Sequence, residues 1–192
     1  MDYQLAKVFY HQQLVGMVSW DRDRRLSSFE YARDFIADGP SLAPLQMPLG
    51  RRVFQFPKLP ESFSGLPGLL ADCLPDAFGH ALIDEWLRSQ NRRPENFSPI
   101  DRLCYVGDRG MGALEFRPTL RPEATRSEQV DVAALVELAS RALARKENLH
   151  TELESAAELN EILRVGTSAG GARAKAIIGW NPATGEVRSG QT

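Results

Sequence analysis

The first third of the chain alternates short apolar runs with polar turns. Three β-favouring runs follow one another, at residues 5–10, at residues 14–20 and from Leu26 onwards. The turns between them, at residues 11–13 and 21–24, are only a few residues long. Strands joined by such short turns are antiparallel, so this pattern predicts a three-stranded meander.

The next segment, residues 37–62, contains five prolines. Proline fixes the backbone angle φ and has no N–H to donate, so little helix can form there. We expect extended segments and turns, with residues 52–56 as a candidate strand.

A helical period begins at Leu66. The apolar residues between Leu69 and Leu74 fit one helical face, and Pro75 ends that helix. Asp76 then stands where an N-cap would begin a second helix, because its short carboxylate accepts from free backbone N–H groups. The pattern predicts two consecutive helices.

A capping signature predicts a third helix. Ser98 is at the N-cap, Pro99 is at the first helical position, and Asp101 is the acid at the third. A turn at residues 107–110 and a strand that ends before Pro118 follow.

The second half of the chain begins with a polar stretch, residues 119–130, which is a predicted linker. The strongest helical pattern of the chain follows at residues 132–143, and a capping box at residues 151–154 begins another helix. A glycine-rich loop, a strand at residues 176–180 and a turn at residues 181–185 complete the pattern.

These elements predict an α+β fold in which strands precede helices. Residues 1–118 form an antiparallel β-meander subdomain packed with helices, and residues 119–130 link it to the rest. Residues 131–192 form a helical segment that leads to the glycine-rich loop and its strand.

Composition and charge narrow the class of protein. The 192 residues are 43% hydrophobic and 25% charged, which is ordinary for a folded chain and excludes a disordered one. The net charge of −2 gives no overall nucleic-acid footprint. Two cysteines without a CxxC partner, no signal peptide and no long apolar stretch lead us to expect a cytoplasmic protein without a membrane span.

The glycine-rich loop carries the clearest candidate chemistry. Small residues let backbone N–H groups turn toward an anion, hydroxyls add donors, and Arg173 and Lys175 add positive charge. The candidate phosphate-binding residues are Thr167, Ser168, Ala169, Gly170, Gly171, Ala172 and Lys175.

Neither common nucleotide motif is present in this loop. Gly166 and Gly171 have the spacing of a P-loop, but Ala172 occupies the position of its lysine. No G-x-G-x-x-G is present, so a dinucleotide fold is not indicated. The loop therefore remains open to two interpretations, a phosphate site or a simple glycine-rich turn.

The other candidate residues favour structural roles. Asp76 is explained as a helix cap and Asp84 as helix surface. Residues 108–110 resemble a functional loop, yet Asp-x-Gly is also turn chemistry, which we favour. The three histidines lack the spacing of metal ligands, so no metal site is predicted: His11, His80 and His150.

Three segments together resemble the HipA family of bacterial toxin kinases. They are GLPGLLADCLPDAFG at residues 65–79, DRLCYVGDRGMGALEF at residues 101–116, and the glycine-rich loop. The meander, with VGMV at residues 15–18 and LSSFEY at residues 26–31, is similar to the first subdomain of that family. The resemblance covers essentially the whole chain.

This resemblance implies a serine/threonine protein kinase that uses ATP and Mg²⁺ and is restrained by a small DNA-binding antitoxin, HipB. The chain would then touch DNA only through that antitoxin. Members of the family phosphorylate aminoacyl-tRNA synthetases. The resemblance also makes residues 131–192 the beginning of an incomplete kinase-like lobe.

The resemblance further implies a regulatory role for the loop. In such kinases the glycine-rich loop covers ATP and carries a serine that becomes autophosphorylated. Alignment on the closing Lys175 places that serine at Ser168. A phosphate there would put about −1.5 to −2 charges where the ATP phosphates belong, and should eject the loop.

The chain departs from the family at its end, because the catalytic and metal-binding aspartates belong after residue 192. No catalytic residue is assigned within the chain. One interpretation is the N-terminal part of a HipA-like kinase, inactive without its catalytic half. The other is a non-catalytic module that binds a separate kinase core or antitoxin.

Overall fold

A computed structural model describes residues 5–110, 112–120 and 178–189. Internal contacts divide the chain into two compact units. The first comprises Met1–Leu74 with Glu95–Arg121, and the second comprises Pro75–Pro94 with Pro122–Thr192.

The first unit is built on a five-stranded antiparallel sheet. Its strands are β1 (Leu5–Tyr10), β2 (Gln13–Asp21), β3 (Leu26–Tyr31), β4 (Val53–Phe54) and β5 (Leu114–Arg117). Their order across the sheet is β4-β3-β2-β1-β5. The predicted meander is confirmed, and the candidate strand at residues 52–56 contributes two residues as β4.

The turn between β1 and β2 explains why the first hairpin is tight. His11 and Gln12 both have positive φ, 45° and 64°. Two consecutive positive φ values match the right-handed twist of the flanking strands. A bulge between Val8 and Phe9 shifts the register of β1 against β2. On the side of the bulge away from the turn, the two strands keep one register to their far ends.

One face of the sheet forms the core of the first unit. The side chains of Val8, Val18 and Phe29 are fully buried on this inner face. Helices and loops contribute further buried residues to the same cluster, among them Phe35, Met47, Leu66, Leu70, Ile100, Leu103 and Cys104.

The described residues of this unit form three α-helices: α1 (Arg33–Asp38), α2 (Gly68–Ala71) and α4 (Pro99–Val106). The predicted cap of α4 is confirmed, since Ser98 caps that helix. Helix α2 begins after Pro67 without a side-chain cap and ends at Ala71, before the predicted stop at Pro75. Helix α1 was not expected, because it has no side-chain cap and runs into the proline-rich segment. Burial of Phe35 stabilises it instead.

The second unit contains helix α3 (Ala77–Ser89). The side chain of Asp76 caps it by accepting a hydrogen bond from the backbone N–H of Gly79 at 2.8 Å, as predicted. Ile83 and Leu87 are fully buried, and Trp86 is nearly so. Among the described helices, none is long and apolar enough to cross a membrane.

The second unit also contains a hairpin of β6 (Ile178–Trp180) and β7 (Val187–Ser189). The predicted strand at residues 176–180 is described from Ile178 onwards. The predicted turn at residues 181–185 is confirmed, and β7 is an additional strand that the sequence pattern did not indicate.

Candidate functional site

The predicted phosphate loop, residues 167–175 with Ser168 as its regulatory residue, lies outside the described residues. Its role therefore stays a prediction. The same holds for the predicted helices at residues 132–143 and after residue 151, and for most of the predicted linker at residues 119–130. The division at residues 118 and 131 also remains a prediction.

The strand that follows the loop begins a tightly closed hairpin. Asn181 and Glu186 bracket its turn, with the Asn181 N–H donating to the Glu186 carbonyl at 2.9 Å. The Asn181 side chain accepts from the Ala183 N–H at 3.0 Å, and the Thr184 hydroxyl accepts from the Glu186 N–H at 3.3 Å. These local hydrogen bonds define the turn of the hairpin.

The segment at residues 65–79 begins at a glycine that joins it to the meander. Gly65 has φ of +74°, and a Cβ there would lie 2.3 Å from the carbonyl oxygen of Arg25. The Gly65 carbonyl accepts from both the N–H and the hydroxyl of Ser27, at 2.9 and 2.8 Å. Only glycine satisfies this close approach.

The segment at residues 101–116 begins with a buried capping box. The Ser98 hydroxyl accepts from the Asp101 N–H at 3.1 Å, and a carboxylate oxygen of Asp101 accepts from the Ser98 N–H at 2.8 Å. The same carboxylate oxygen lies 2.7 Å from the Ser98 hydroxyl. Asp101 is 0% exposed, so its charge is satisfied inside the protein and is not presented to a ligand.

Helix α4 ends at a second constrained glycine. Gly107 has φ of +61° with ψ of −117°, a region that side chains exclude. Its N–H donates to the Leu103 carbonyl at 2.8 Å, and its carbonyl accepts from the Phe116 N–H at 3.0 Å. Residues 107–110 are a turn, as favoured from the sequence, and this turn directs the chain into β5.

Both cysteines are held in the thiol form. Burial, with a smaller contribution from Asp72, raises the pKa of Cys73 to about 11. Burial, with a smaller contribution from Asp101, raises the pKa of Cys104 to about 12. A nucleophilic cysteine needs a lowered pKa, so both thiols are packing residues at neutral pH. Within residues 5–110, 112–120 and 178–189, no cluster of His, Cys, Asp or Glu could hold a metal ion.

The opposite face of the sheet carries the most distinctive exposed surface of the first unit. One row of directly opposed residues crosses all five strands: Arg117, Lys7, Met17, Glu30 and Val53. Leu5 lies on the same side, two positions before Lys7. We call these six residues the outer face.

The outer face is both apolar and charged. Leu5, Met17 and Val53 are 50%, 43% and 57% exposed, and they are three of the five large apolar side chains exposed among the described residues. Arg117 lies over the ring of Phe9 at 4.3 Å and pairs with Glu115 at 3.2 Å. This surface was not singled out from the sequence, although the alternation of β1 and β2 already placed Leu5, Lys7 and Met17 away from the core.

Comparison with families of known proteins identifies this domain. The family described as the HipA N-terminal domain matches residues 6–117, more than half of the chain. The match spans all five strands of the sheet and both glycine-anchored segments. Comparison with curated proteins gave no match.

The fold and the match define the class as a toxin–antitoxin protein whose first unit is an α+β domain. The chain belongs to the HipA N-terminal domain family. The resemblance seen in the sequence is therefore confirmed over residues 6–117. A toxin–antitoxin family implies a partner.

Proposed function

We propose that this chain supplies the N-terminal domain and the ATP-covering loop of a HipA-like serine/threonine kinase toxin. The observation that carries the proposal is the family match over residues 6–117, followed in the same chain by the glycine-rich loop and a strand. In this proposal the first unit is a folded support and the loop is the part that meets nucleotide.

The chemistry of the loop supports this role. Gly170 and Gly171 allow backbone N–H groups to face the ATP phosphates, and Lys175 adds a positive charge. Thr167 and Ser168 add hydroxyl donors, and Ala169 and Ala172 keep the loop free of bulk. Phosphoryl transfer depends on positioning and charge stabilisation, to which such a loop contributes.

Phosphoryl transfer itself requires a kinase core. The described residues provide no cluster of metal ligands, and the family resemblance places the Mg²⁺ ligands in that core. The core belongs either to the same polypeptide or to a separate protein. In either case the transferred phosphate would go to a serine or threonine of a protein such as an aminoacyl-tRNA synthetase, and a HipB-like antitoxin would restrain the activity.

Ser168 is the proposed switch. A phosphate on Ser168 brings about −1.5 to −2 charges into the space of the ATP phosphates, and like-charge repulsion then drives the loop out. Autophosphorylation would therefore turn the kinase off.

The first test uses ATP labelled on its γ-phosphate. The 192-residue chain alone is expected to transfer no label to protein, whereas the chain with its kinase core is expected to label Ser168. Ser168→Ala should remove that label, and Ser62→Ala, an exposed serine of the first unit, should not. Clear labelling of Ser168 by the chain alone would show that no separate core is needed.

The same assembly tests the loop directly. Ser168→Asp is expected to weaken ATP binding about tenfold or more, while the neutral Ser168→Ala changes it little. Equal ATP affinity for the two variants would contradict closure of the loop over the phosphates.

Gene context then distinguishes the two sources of the core: a reading frame that continues past Thr192, or a separate neighbouring gene.

A further inference from the structure

The proline-rich segment presents one leucine almost completely to solvent. Leu45 is 91% exposed, the highest value among the large apolar side chains exposed in the described residues. It is the middle residue of a turn at residues 44–46, all of which are exposed. Ala43 and Met47 flank this turn and pair as an isolated antiparallel bridge. We call residues 43–47 the tip loop.

The tip loop is fixed at its base. The Met47 N–H donates to the Ala43 carbonyl at 2.8 Å and closes the turn. The Met47 carbonyl accepts from the Tyr31 hydroxyl at 2.9 Å, and the Met47 side chain is buried in the core. Pro44 and Pro48 restrict φ on both sides of the leucine. A single exposed leucine is common on protein surfaces, but this one is held in place before a partner arrives, so binding costs little ordering entropy.

The sequence around the tip loop carries no charge. Residues 39–50 contain no Asp, Glu, Lys or Arg, in a chain that is 25% charged. The segment therefore offers no cation to the phosphates of a nucleic acid or a lipid. It also offers no charge that would steer a partner which binds and leaves. Contacts that are apolar and uncharged are typical of permanent interfaces.

We infer that Leu45 is an apolar anchor that inserts into a pocket of the kinase core. This inference rests on the proposed function, which requires a core that stays with this chain, in the same polypeptide or in a separate protein. A HipB-like antitoxin is a regulator, and charged surfaces suit the rapid encounter that regulation needs. A second copy that met this chain tip to tip would offer another protrusion instead of a pocket. The uncharged, preformed anchor therefore fits the permanent partner.

The test measures how fast iodoacetamide alkylates a thiol placed beside the intact leucine. Gln46→Cys introduces that thiol, and mass spectrometry follows its label separately from the labels of Cys73 and Cys104, whose raised pKa values slow their reaction. In the 192-residue chain alone, the introduced thiol is expected to react quickly at every protein concentration. In the assembly of the chain with its kinase core, its rate should fall about tenfold or more, because the tip loop is covered. Ser62→Cys, at an exposed position outside the tip loop, should react equally fast in both.

Leu45→Asp, added to the Gln46→Cys variant, tests the anchor itself. A carboxylate cannot enter an apolar pocket without losing its hydration, so the introduced thiol should regain most of its rate in the assembly. Leu5→Asp makes the same exchange at another exposed leucine of the first unit and should leave the thiol protected. Circular dichroism checks the fold of each variant.

The outcomes distinguish the possible occupants. A thiol that reacts equally fast with and without the core would overturn the inference, and so would protection that survives Leu45→Asp. Protection already present in the 192-residue chain would assign the contact to the chain itself, or to a second copy if it rises with concentration. Protection that requires a HipB-like antitoxin would assign it to that protein. Each of these results contradicts a contact with the core.

The γ-phosphate assay separates this inference from the proposed function. An assembly that labels Ser168 but leaves the introduced thiol reactive contradicts only the contact of the tip loop. An assembly that protects the thiol but leaves Ser168 unlabelled supports the contact and contradicts the switch. If the chain and the core form no assembly, both proposals are wrong.

Discussion

Gly65 shows how one residue position joins two parts of the chain. Its backbone touches the carbonyl of Arg25 so closely that a Cβ would lie 2.3 Å from that oxygen. Its own carbonyl is held by two donors of Ser27. The family-like segment at residues 65–79 therefore begins with Gly65, whose role is to pack closely against the β2–β3 hairpin.

Gly65→Ala is expected to lower the free energy of unfolding by about 1–3 kcal/mol, because the new methyl group meets backbone and the positive φ becomes strained. Gly112→Ala is a matched control, since a Cβ at Gly112 has no heavy atom within 4 Å. Urea denaturation of both variants measures the difference. Equal stability would mean that the contact between Gly65 and Arg25 relaxes without cost.

At the scale of elements, local signals explain most of what the sequence predicted. The three strands of the meander and the caps at Asp76 and Ser98 follow from turn chemistry and capping, which act within a few residues. Helix α1 has no such local signal. It is stabilised instead by the tertiary burial of Phe35. The pairing of β5 with β1 joins residues far apart in sequence, which no local pattern encodes.

The same limit applies to the candidate sites. The glycines and the lysine of the loop are visible in the sequence because phosphate chemistry needs those residue types close together. The outer face is assembled from residues of all five strands. It becomes visible only when the register is known, since a shift of one residue would move every side chain to the other face.

Ser98→Ala tests the capping box of α4. It removes the hydroxyl that accepts from the Asp101 N–H, and it withdraws a donor from a fully buried carboxylate. We expect the free energy of unfolding to fall by about 1–2 kcal/mol. Ser62→Ala, at an exposed position, should change it by less than about 0.5 kcal/mol. Chemical denaturation followed by circular dichroism compares the two, and equal midpoints would argue against the cap.

At the scale of the whole first unit, β5 completes the sheet beside the first strand. Phe116 is fully buried and directly opposite Val8. Its side chain therefore joins residues at the two ends of the family-matched region into one core.

Phe116→Ala is expected to cost about 3–5 kcal/mol, because the cavity lies in a fully buried site. That is a large part of the stability of a typical domain. The smaller change Phe116→Leu should cost less and keep the domain folded for measurement. Glu115→Ala, on the same strand, removes only a partly exposed ion pair and should cost less than about 1 kcal/mol. If Phe116→Ala and Glu115→Ala unfold at the same urea concentration, β5 is not part of the cooperative unit.

The pairing of β1 with β5 also has a consequence for synthesis on the ribosome. Strand β1 emerges first, but its partner at Leu114–Arg117 is made about 100 residues later. At about 5–20 residues per second, this edge of β1 waits several seconds or longer for its native neighbour. A nascent chain therefore passes through a period with an open strand edge that can pair with the wrong chain. Slower translation through residues 32–113 would lengthen this period.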